Sequence, residues 1–198
     1  MWLNCGIKVL MKRLILTSVV LLGLYGCEGL EFSSPSPTEN DDPHIAGRNI
    51  SHIFRDDDLS HQVSREIREQ YKRYSEQVRV VVYQNNMLLL GQVPNGKVRS
   101  GVARIANAHA DHRRVLNRIS IEGPATSLVR ANDSWISTKI KAQMLSDYNI
   151  HASKFKVVTE NGVVYLMGKV SSEEAALVTQ IARQTTGVRK VVTILERS

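Results

Sequence analysis

The sequence predicts an α+β protein with two tandem repeats, each in the element order α-β-β-α-β. Three observations predict this fold class: an internal repeat, a β-hairpin signal in each copy, and helical periodicity on both sides of the hairpin. The motif Leu-x-Gly-x-Val at 89–93 recurs at 166–170, and Ile-Ala at 105–106 recurs at 181–182. In each copy two helices would pack on a three-stranded mixed sheet.

Each copy begins with a predicted helix, over about 59–74 in the first and 133–147 in the second. Asp58 precedes the first segment and Asp133 begins the second. Both are candidate N-caps, because a short acceptor side chain satisfies free N–H groups at a helix start.

A β-hairpin follows each first helix. Asn161-Gly162 separates two β-rich segments and is a strong hairpin signal, whereas Asn85-Asn86 takes the same place less ideally in the first copy. The second helix and the last strand are predicted at 97–111 and 113–121, and again at 171–186 and 188–195. At about 60 residues each copy is marginally stable alone, so we expect the two to pack together.

Gly91 and Gly168 lie inside apolar strands, where glycine lowers stability. We interpret both as structural glycines, whose missing side chains let a helix backbone approach the sheet, and not as ligand contacts.

The N-terminal segment, residues 1–26, has the pattern of a bacterial lipoprotein export signal. A basic pair precedes an apolar run over 14–24, which is too short to span a bilayer because spanning takes about 20 residues. The run ends in Leu-Tyr-Gly-Cys, which resembles a lipobox and makes Cys27 the predicted lipidation site. Met11 directly precedes the basic pair and is a better start than Met1.

The mature chain would keep one cysteine, at its first position, which suits acylation better than an internal disulfide. Residues 27–56 are rich in Ser, Pro, Asp and Asn and are predicted to be a flexible tether, followed by repeats over 57–123 and 124–198. Glu28 follows the cysteine where aspartate often retains lipoproteins in the inner membrane, so the outer membrane is favoured.

The charge of the mature chain is mildly positive. Removing residues 1–26 takes away three basic residues and no acidic ones, so the net charge falls from +7 to about +4. This excess suits an anionic membrane surface and argues against a dedicated nucleic-acid binder.

The sequence contains no catalytic constellation, and a non-enzymatic protein without a cofactor is predicted. His109 and His112 are three residues apart, but two histidines without a third ligand predict a solvated pair and not a metal site. Nucleophile motifs and glycine-rich phosphate loops are also absent from the sequence.

The first helix of the second copy is apolar on two faces. At about 100° per residue, the stripe facing the core consists of Ile136, Ile140 and Met144. The opposite face and its flanking lysines are Trp135, Thr138, Ala142 and Leu145, with Lys139 and Lys141. One sheet can cover only one of these faces, so the second face is expected to meet another surface.

The corresponding face of the first copy is charged. If Val63 and Ile67 are aligned with Ile136 and Ile140, at an offset of 73, this face consists of Gln62, Arg65, Glu69 and Lys72. A tryptophan among apolar residues with lysines at the rim is typical of a membrane interface. From the residues alone, packing of this face against the first copy is an equal alternative.

The repeats resemble BON domains, and their tandem arrangement behind a lipobox is similar to the dual BON-domain outer-membrane lipoproteins. The segments that carry this resemblance are residues 88–95, 132–139, 159–168 and 187–191. The resemblance covers nearly the whole mature chain and is stronger in the second copy.

The resemblance implies an outer-membrane lipoprotein, anchored through Cys27 and facing the periplasm, that supports envelope integrity. It implies binding of anionic phospholipid, such as phosphatidylglycerol or cardiolipin, through the helix carrying Trp135 and Leu145. It also implies enrichment at division sites and links to envelope-assembly or peptidoglycan-remodelling proteins.

Two alternatives stay open. The same helix face would bind a protein partner or the other BON domain in a periplasmic adaptor, or the protein would act in stress protection through nonspecific binding.

Overall fold

A computed structural model describes residues 50–198, with side chains from residue 53 onward. The predicted signal (1–26), Cys27 and most of the predicted tether lie outside the described residues. The elements of the first repeat are α1 (Ile50–Gln70), β1 (Val78–Tyr83), β2 (Asn86–Val93), α2 (Gly96–Ala108), β3 (Arg114–Asn117) and β4 (Ser120–Ile121). Those of the second repeat are α3 (Ser127–Leu145), β5 (Phe155–Glu160), β6 (Val163–Val170), α4 (Ser172–Gln184) and β7 (Lys190–Arg197).

Each repeat forms a mixed sheet around its second strand. In the first, β2 pairs antiparallel with β1 and parallel with both β3 and β4. In the second, β6 pairs antiparallel with β5 and parallel with β7. The predicted α+β fold class, with two α-β-β-α-β units, is confirmed.

The central strands are buried on both faces. All eight residues of β2 are buried, because Met87 and Leu89 face the helices of their own repeat while Leu88 and Leu90 face the second repeat. The cluster between the two sheets contains, from the first repeat, Val81, Tyr83, Leu88, Leu90 and Leu116, and from the second, Val158, Tyr165 and Met167. Residues 50–198 therefore form a sandwich of two sheets with helices on both outer sides.

Polar contacts flank this apolar interface between the sheets. The Arg79 guanidinium lies 2.8 Å from the Glu160 carboxylate, which also accepts a 2.7 Å hydrogen bond from the Gln92 side chain. At another point the Asn86 amide donates to Glu196 at 3.0 Å. These pairs fix how the two repeats face each other.

The first helix of each repeat begins earlier than predicted. Helix α3 starts at Ser127, after Thr126, whose hydroxyl accepts a 3.3 Å hydrogen bond from the Val129 N–H. Helix α1 starts at Ile50, inside the predicted tether. Asp58 and Asp133 lie within the helices, and the N-cap assignment for both is wrong.

The actual role of Asp133 is to cap the hairpin of its repeat. Its carboxylate is buried and accepts 2.7 and 2.8 Å hydrogen bonds from the N–H groups of Asn161 and Gly162. In the first repeat Asp56 accepts a 2.8 Å bond from the Gln84 N–H in the same way. The repeats therefore align at an offset of 77 along the first helix, one helical turn away from the predicted 73.

A basic residue supports each hairpin turn from the other side. The turns lie at Gln84–Asn85 and Asn161–Gly162, so the first is one residue earlier than predicted. Arg113 donates to the Gln84 carbonyl at 3.1 Å, and Arg189 donates to the Asn161 carbonyl at 3.3 Å. Each arginine therefore holds a carbonyl group of the hairpin turn in its own repeat.

The two glycines in the central strands leave room for a carbonyl group. A Cβ at Gly91, whose φ is +116°, would lie 1.8 Å from the Gln77 oxygen, and one at Gly168 would lie 2.7 Å from the Lys154 oxygen. Each oxygen belongs to the last residue of a short 3-10 turn, which is Ser75–Gln77 in the first repeat and Ala152–Lys154 in the second. The close neighbour is therefore a 3-10 turn and not, as expected, an α-helix.

Candidate lipid-binding face

Helix α3 buries one stripe and exposes the opposite one. Ile136, Ile140 and Met144 lie in the core of the second repeat, at the spacing of one helix face. A hydrogen bond of 2.8 Å between the Ser137 and Thr159 hydroxyls further joins the helix to β5. The helix is thus fixed on its sheet, and its outer stripe is held in a constant direction.

The outer stripe carries large apolar side chains that no part of the described chain covers. Trp135 is 50% exposed and Leu145 is 76% exposed. Between them, Thr138 and Ala142 are exposed, and the Thr138 hydroxyl is bonded to the Ser134 carbonyl of its own helix at 2.9 Å. The stripe therefore presents mainly carbon to solvent.

The two predicted lysines lie on opposite sides of the stripe. The Lys139 ammonium is 4.8 Å from the centroid of the Trp135 ring, which is a cation–π arrangement. Lys141 is exposed and, with Thr138, lines a groove of about 570 Å³ between the repeats. Positive charge thus borders the apolar stripe on both sides.

Two further apolar residues extend this face beyond the predicted set. Leu128 is 78% exposed and lies seven residues before Trp135, so it shares the same side of the helix. Tyr148, just after the helix, is also exposed. From Leu128 to Leu145 the stripe is about 26 Å long. Had the helix been predicted to start at 127, the seven-residue spacing from Leu128 to Trp135 would have placed Leu128 in the stripe.

The equivalent face of the first repeat is polar. At the corrected offset of 77 the exposed residues matching the α3 stripe are Asp58, His61, Arg65 and Arg68, and Gln62 matches the flanking Lys139. Of the set compared at offset 73, Lys72 lies beyond the end of α1. An exposed Phe54 near the start of α1 is the exception. The difference between the two repeats therefore holds in the corrected alignment.

The histidines form no metal centre within residues 50–198. The described part of the chain contains no group of three or more His, Cys, Asp or Glu residues placed to hold an ion. The His109 ring instead contacts the Glu66 carboxylate at 2.5 Å, which joins α2 to α1. In the same part of the chain, each helix is too short or too polar to cross a membrane.

The fold and the exposed face of α3 define the class of protein. It is a two-repeat α+β sandwich whose second repeat exposes one amphipathic helix, with lysines on both sides of its apolar stripe. The sequence profile of the BON domain matches residues 55–123 and 132–196. The chain belongs to the BON-domain family, as a two-domain member similar to DolP.

Two relatives are similar in sequence to this chain over most of its length. Outer membrane lipoprotein DolP of Haemophilus influenzae (strain ATCC 51907 / DSM 11121 / KW20 / Rd) is 30% identical over 78% of this chain and 79% of its own length. A 21 kDa hemolysin of Actinobacillus pleuropneumoniae is 29% identical over 78% of each chain. Among solved structures, CdsD of the Chlamydia trachomatis type III secretion system gives a TM-score of 0.29 at 12% identity, covering 72% of this chain and 63% of that one. That last similarity is too low to support a conclusion.

Proposed function

We propose that this protein is a non-enzymatic outer-membrane lipoprotein that binds anionic phospholipid through the outer face of α3. The observation that carries the proposal is the exposed stripe of Leu128, Trp135 and Leu145 beside Lys139 and Lys141. The relative named outer membrane lipoprotein DolP supports the outer-membrane location. The proposed anchor is Cys27, with the protein facing the periplasm.

The physical basis is that of an interfacial helix. An indole ring is most stable at the depth of lipid headgroups, and leucines at both ends of the stripe would enter the acyl region. Each lysine near an anionic surface contributes about 1 kcal/mol. Phosphatidylglycerol and cardiolipin, whose headgroups carry net negative charge, are therefore the proposed lipids, and support of envelope integrity, including at division sites, is the proposed role.

The alternative of an adaptor is narrowed by the way the repeats pack. The first repeat packs against the sheet of the second repeat and not against the α3 stripe, which stays exposed. The arrangement therefore argues against the other BON domain as the occupant of that stripe. A protein partner, for example an envelope-assembly or peptidoglycan-remodelling protein, stays as the competing occupant.

Sedimentation with vesicles tests the proposal. The chain from Glu28 would be mixed with phosphatidylglycerol or phosphatidylcholine vesicles, as wild type and as Trp135→Glu, Leu145→Glu and Gln62→Glu. The matched control, Gln62→Glu, adds the same charge to the exposed face of α1. We expect the α3 variants to lose affinity for phosphatidylglycerol by about tenfold or more, because each removes a buried apolar side chain from the lipid.

Thermal melting separates binding from folding. Because Trp135 and Leu145 are exposed, both variants should melt within a few degrees of wild type, and the control should match wild type in both assays. Equal sedimentation of folded α3 variants and wild type would reject the lipid face. Absence of wild-type binding to phosphatidylglycerol would also reject it and favour the protein partner.

A further inference from the structure

Strand β7 forms an open edge of the second sheet. The strand order is β5-β6-β7, and within residues 50–198 no strand pairs with the outer side of β7. β7 is continuous over eight residues, and Thr193 at its middle is exposed. An edge of this length with free backbone groups is a template for another strand.

The first repeat protects the corresponding edge, but the second does not. There the last strand is divided into β3, of four residues, and β4, of two, and the chain between them turns through a 3.1 Å bond from the Ile119 N–H to the Asn117 side chain. Short and interrupted edge strands discourage pairing. β7 contains no proline or glycine, and its central Val-Val-Thr-Ile-Leu has high strand propensity.

The backbone groups on the open edge belong to alternate residues. The Ser198 N–H donates to the Val170 carbonyl at 3.1 Å, and Val170 is paired with Arg197 in the parallel ladder. Because ladder bonds alternate along a strand, residues 192, 194 and 196 bond to β6. Val191, Thr193 and Leu195 therefore direct their N–H and C=O groups outward.

The sequence of β7 is complementary to itself in one antiparallel register. If Thr193 faces Thr193 of a second copy, Lys190 faces Glu196, Val191 faces Leu195 and Val192 faces Ile194. Opposite charges and apolar pairs across neighbouring strands stabilise a sheet. Because only alternate residues direct their backbone groups outward, competing registers differ by two residues. These registers place Lys190 opposite Ile194 or Ser198, and the charge pair is lost.

A groove beside β7 has room for the side chains of a second strand. It measures about 680 Å³ and lies between α4 and β7. Its helical wall consists of three small residues and three longer ones, and Thr193 and Leu195 contribute from the strand: Ala175, Ala176 and Thr179, with Gln180, Arg183 and Gln184. The small side chains leave space over the edge for Val191 and Leu195 of a neighbouring copy.

We propose that two copies of this chain pair through antiparallel β7 strands, with a two-fold axis at Thr193. The two second sheets then form one continuous sheet of six strands. Since this axis is normal to the sheet, both α3 helices lie on the same side of it, and both Trp135 stripes face the same direction. The advantage of binding one membrane with two stripes rests on the proposed lipid function, whereas the pairing itself does not.

Disulfide trapping tests the register. The chain from Glu28 has no cysteine, because the only two are Cys5 and Cys27. Thr193→Cys then places one thiol at the two-fold axis, where opposite Cα atoms about 5.5 Å apart allow a disulfide. We expect a covalent dimer on mild oxidation, and much less from the control Arg114→Cys on the exposed part of β3. Equal yields from the two variants would overturn the proposal.

Charge reversal tests the contacts by sedimentation equilibrium at concentrations up to about 1 mM. Lys190→Glu should weaken the dimer by about tenfold, because it places two carboxylates opposite each other at each end of the paired strands. The control Lys97→Glu, on the exposed side of α2, should leave the dimer unchanged. A monomeric wild type overturns the proposal, and so does a dimer that Lys190→Glu does not weaken. Neither the disulfide trapping nor the sedimentation equilibrium contains lipid, so a negative result in both would not affect the lipid-binding proposal. Conversely, absence of vesicle binding would not affect the proposed dimer.

Discussion

Asp133 accepts hydrogen bonds from Asn161 and Gly162 although it lies in the middle of α3 and 28 residues away from the first of them. The contact joins the helix with the exposed stripe to the hairpin of its own sheet. Asp56 makes the equivalent contact with the Gln84 N–H in the first repeat, so this contact is a feature of each repeat and not of the proposed lipid-binding face alone.

Replacing Asp133 with alanine should lower the free energy of unfolding by about 2–3 kcal/mol, because two hairpin N–H groups lose their acceptor. Asp56→Ala should have a similar effect, since the buried Asp56 carboxylate accepts the Gln84 N–H bond and lies 3.6 Å from the Arg113 guanidinium. Asp58→Ala, an exposed site in the same helix, is the control and should change stability by less than about 0.5 kcal/mol. Urea denaturation measures all three. A loss at Asp58 as large as the loss at Asp133 would restore the N-cap interpretation.

The loss of stability caused by replacing a glycine with alanine should be larger where less space surrounds the added Cβ. Gly91→Ala is expected to be the most damaging, because its Cβ would meet the Gln77 oxygen and its φ of +116° is unfavourable for alanine. Gly168→Ala should cost less, although still about 2 kcal/mol or more. Gly123→Ala, where no atom lies within 4 Å of the added Cβ, should be neutral. Melting temperatures that do not follow this order would refute the steric role.

The buried carboxylate of Glu174 should make stability depend on acidic pH. Burial opposes its charge, but hydrogen bonds from the His151 ring and N–H and from the Ser171 N–H, with Lys154 nearby, outweigh burial and lower the pKa of Glu174. A folded-state pKa below the unfolded value, which is about 4.3, gives stability that is present above that pH and lost as pH falls through the folded pKa.

The stability difference between wild type and Glu174→Gln should therefore be largest near neutral pH and shrink below about pH 4. Denaturation at a series of pH values measures it, with the exposed Glu122→Gln as control. A difference that stayed constant from pH 7 to pH 3 would show that the charge of Glu174 has no part in stability.

The lysines beside Trp135 should account for the salt dependence of vesicle binding. Lys139→Gln and Lys141→Gln are each expected to weaken binding about fivefold at low ionic strength, corresponding to about 1 kcal/mol per charge. At 1 M salt the Debye length is about 3 Å, so these differences should nearly vanish while the defect of Trp135→Glu persists. Lys97→Gln, which removes an exposed lysine of α2, is the control. Equal losses at all three lysines would indicate a general charge effect.

The element order, the mixed sheets and the two faces of α3 could be predicted because each rests on local periodicity. The helix starts could not, because an aspartate before an apolar run is typical of an N-cap, while Asp56 and Asp133 serve hairpins that are close only after folding. Because apolar residues recur once per turn, aligning Val63 with Ile136 placed the first helices one turn out of register. The late predicted start of α3 left Leu128 outside the predicted stripe.

The sequence contains a signal that the two sheets pack against each other. Leu88-Leu89-Leu90 and Tyr165-Leu166-Met167 are consecutive apolar residues, and a strand with only one buried face alternates instead. These runs indicate burial on both faces and therefore a second layer against each sheet. With that surface assigned to the other repeat, the Trp135 stripe is left for another occupant.

Tryptophan fluorescence tests the central claim most directly. In the chain from Glu28, Trp135 is the only tryptophan, because the other one in the sequence is Trp2. If α3 binds anionic phospholipid, phosphatidylglycerol vesicles will shift the Trp135 emission to shorter wavelength and protect it from acrylamide, and phosphatidylcholine vesicles will not. Unchanged emission and unchanged quenching with phosphatidylglycerol, in a sample where the protein sediments with the vesicles, would contradict the account by showing that binding occurs through another surface.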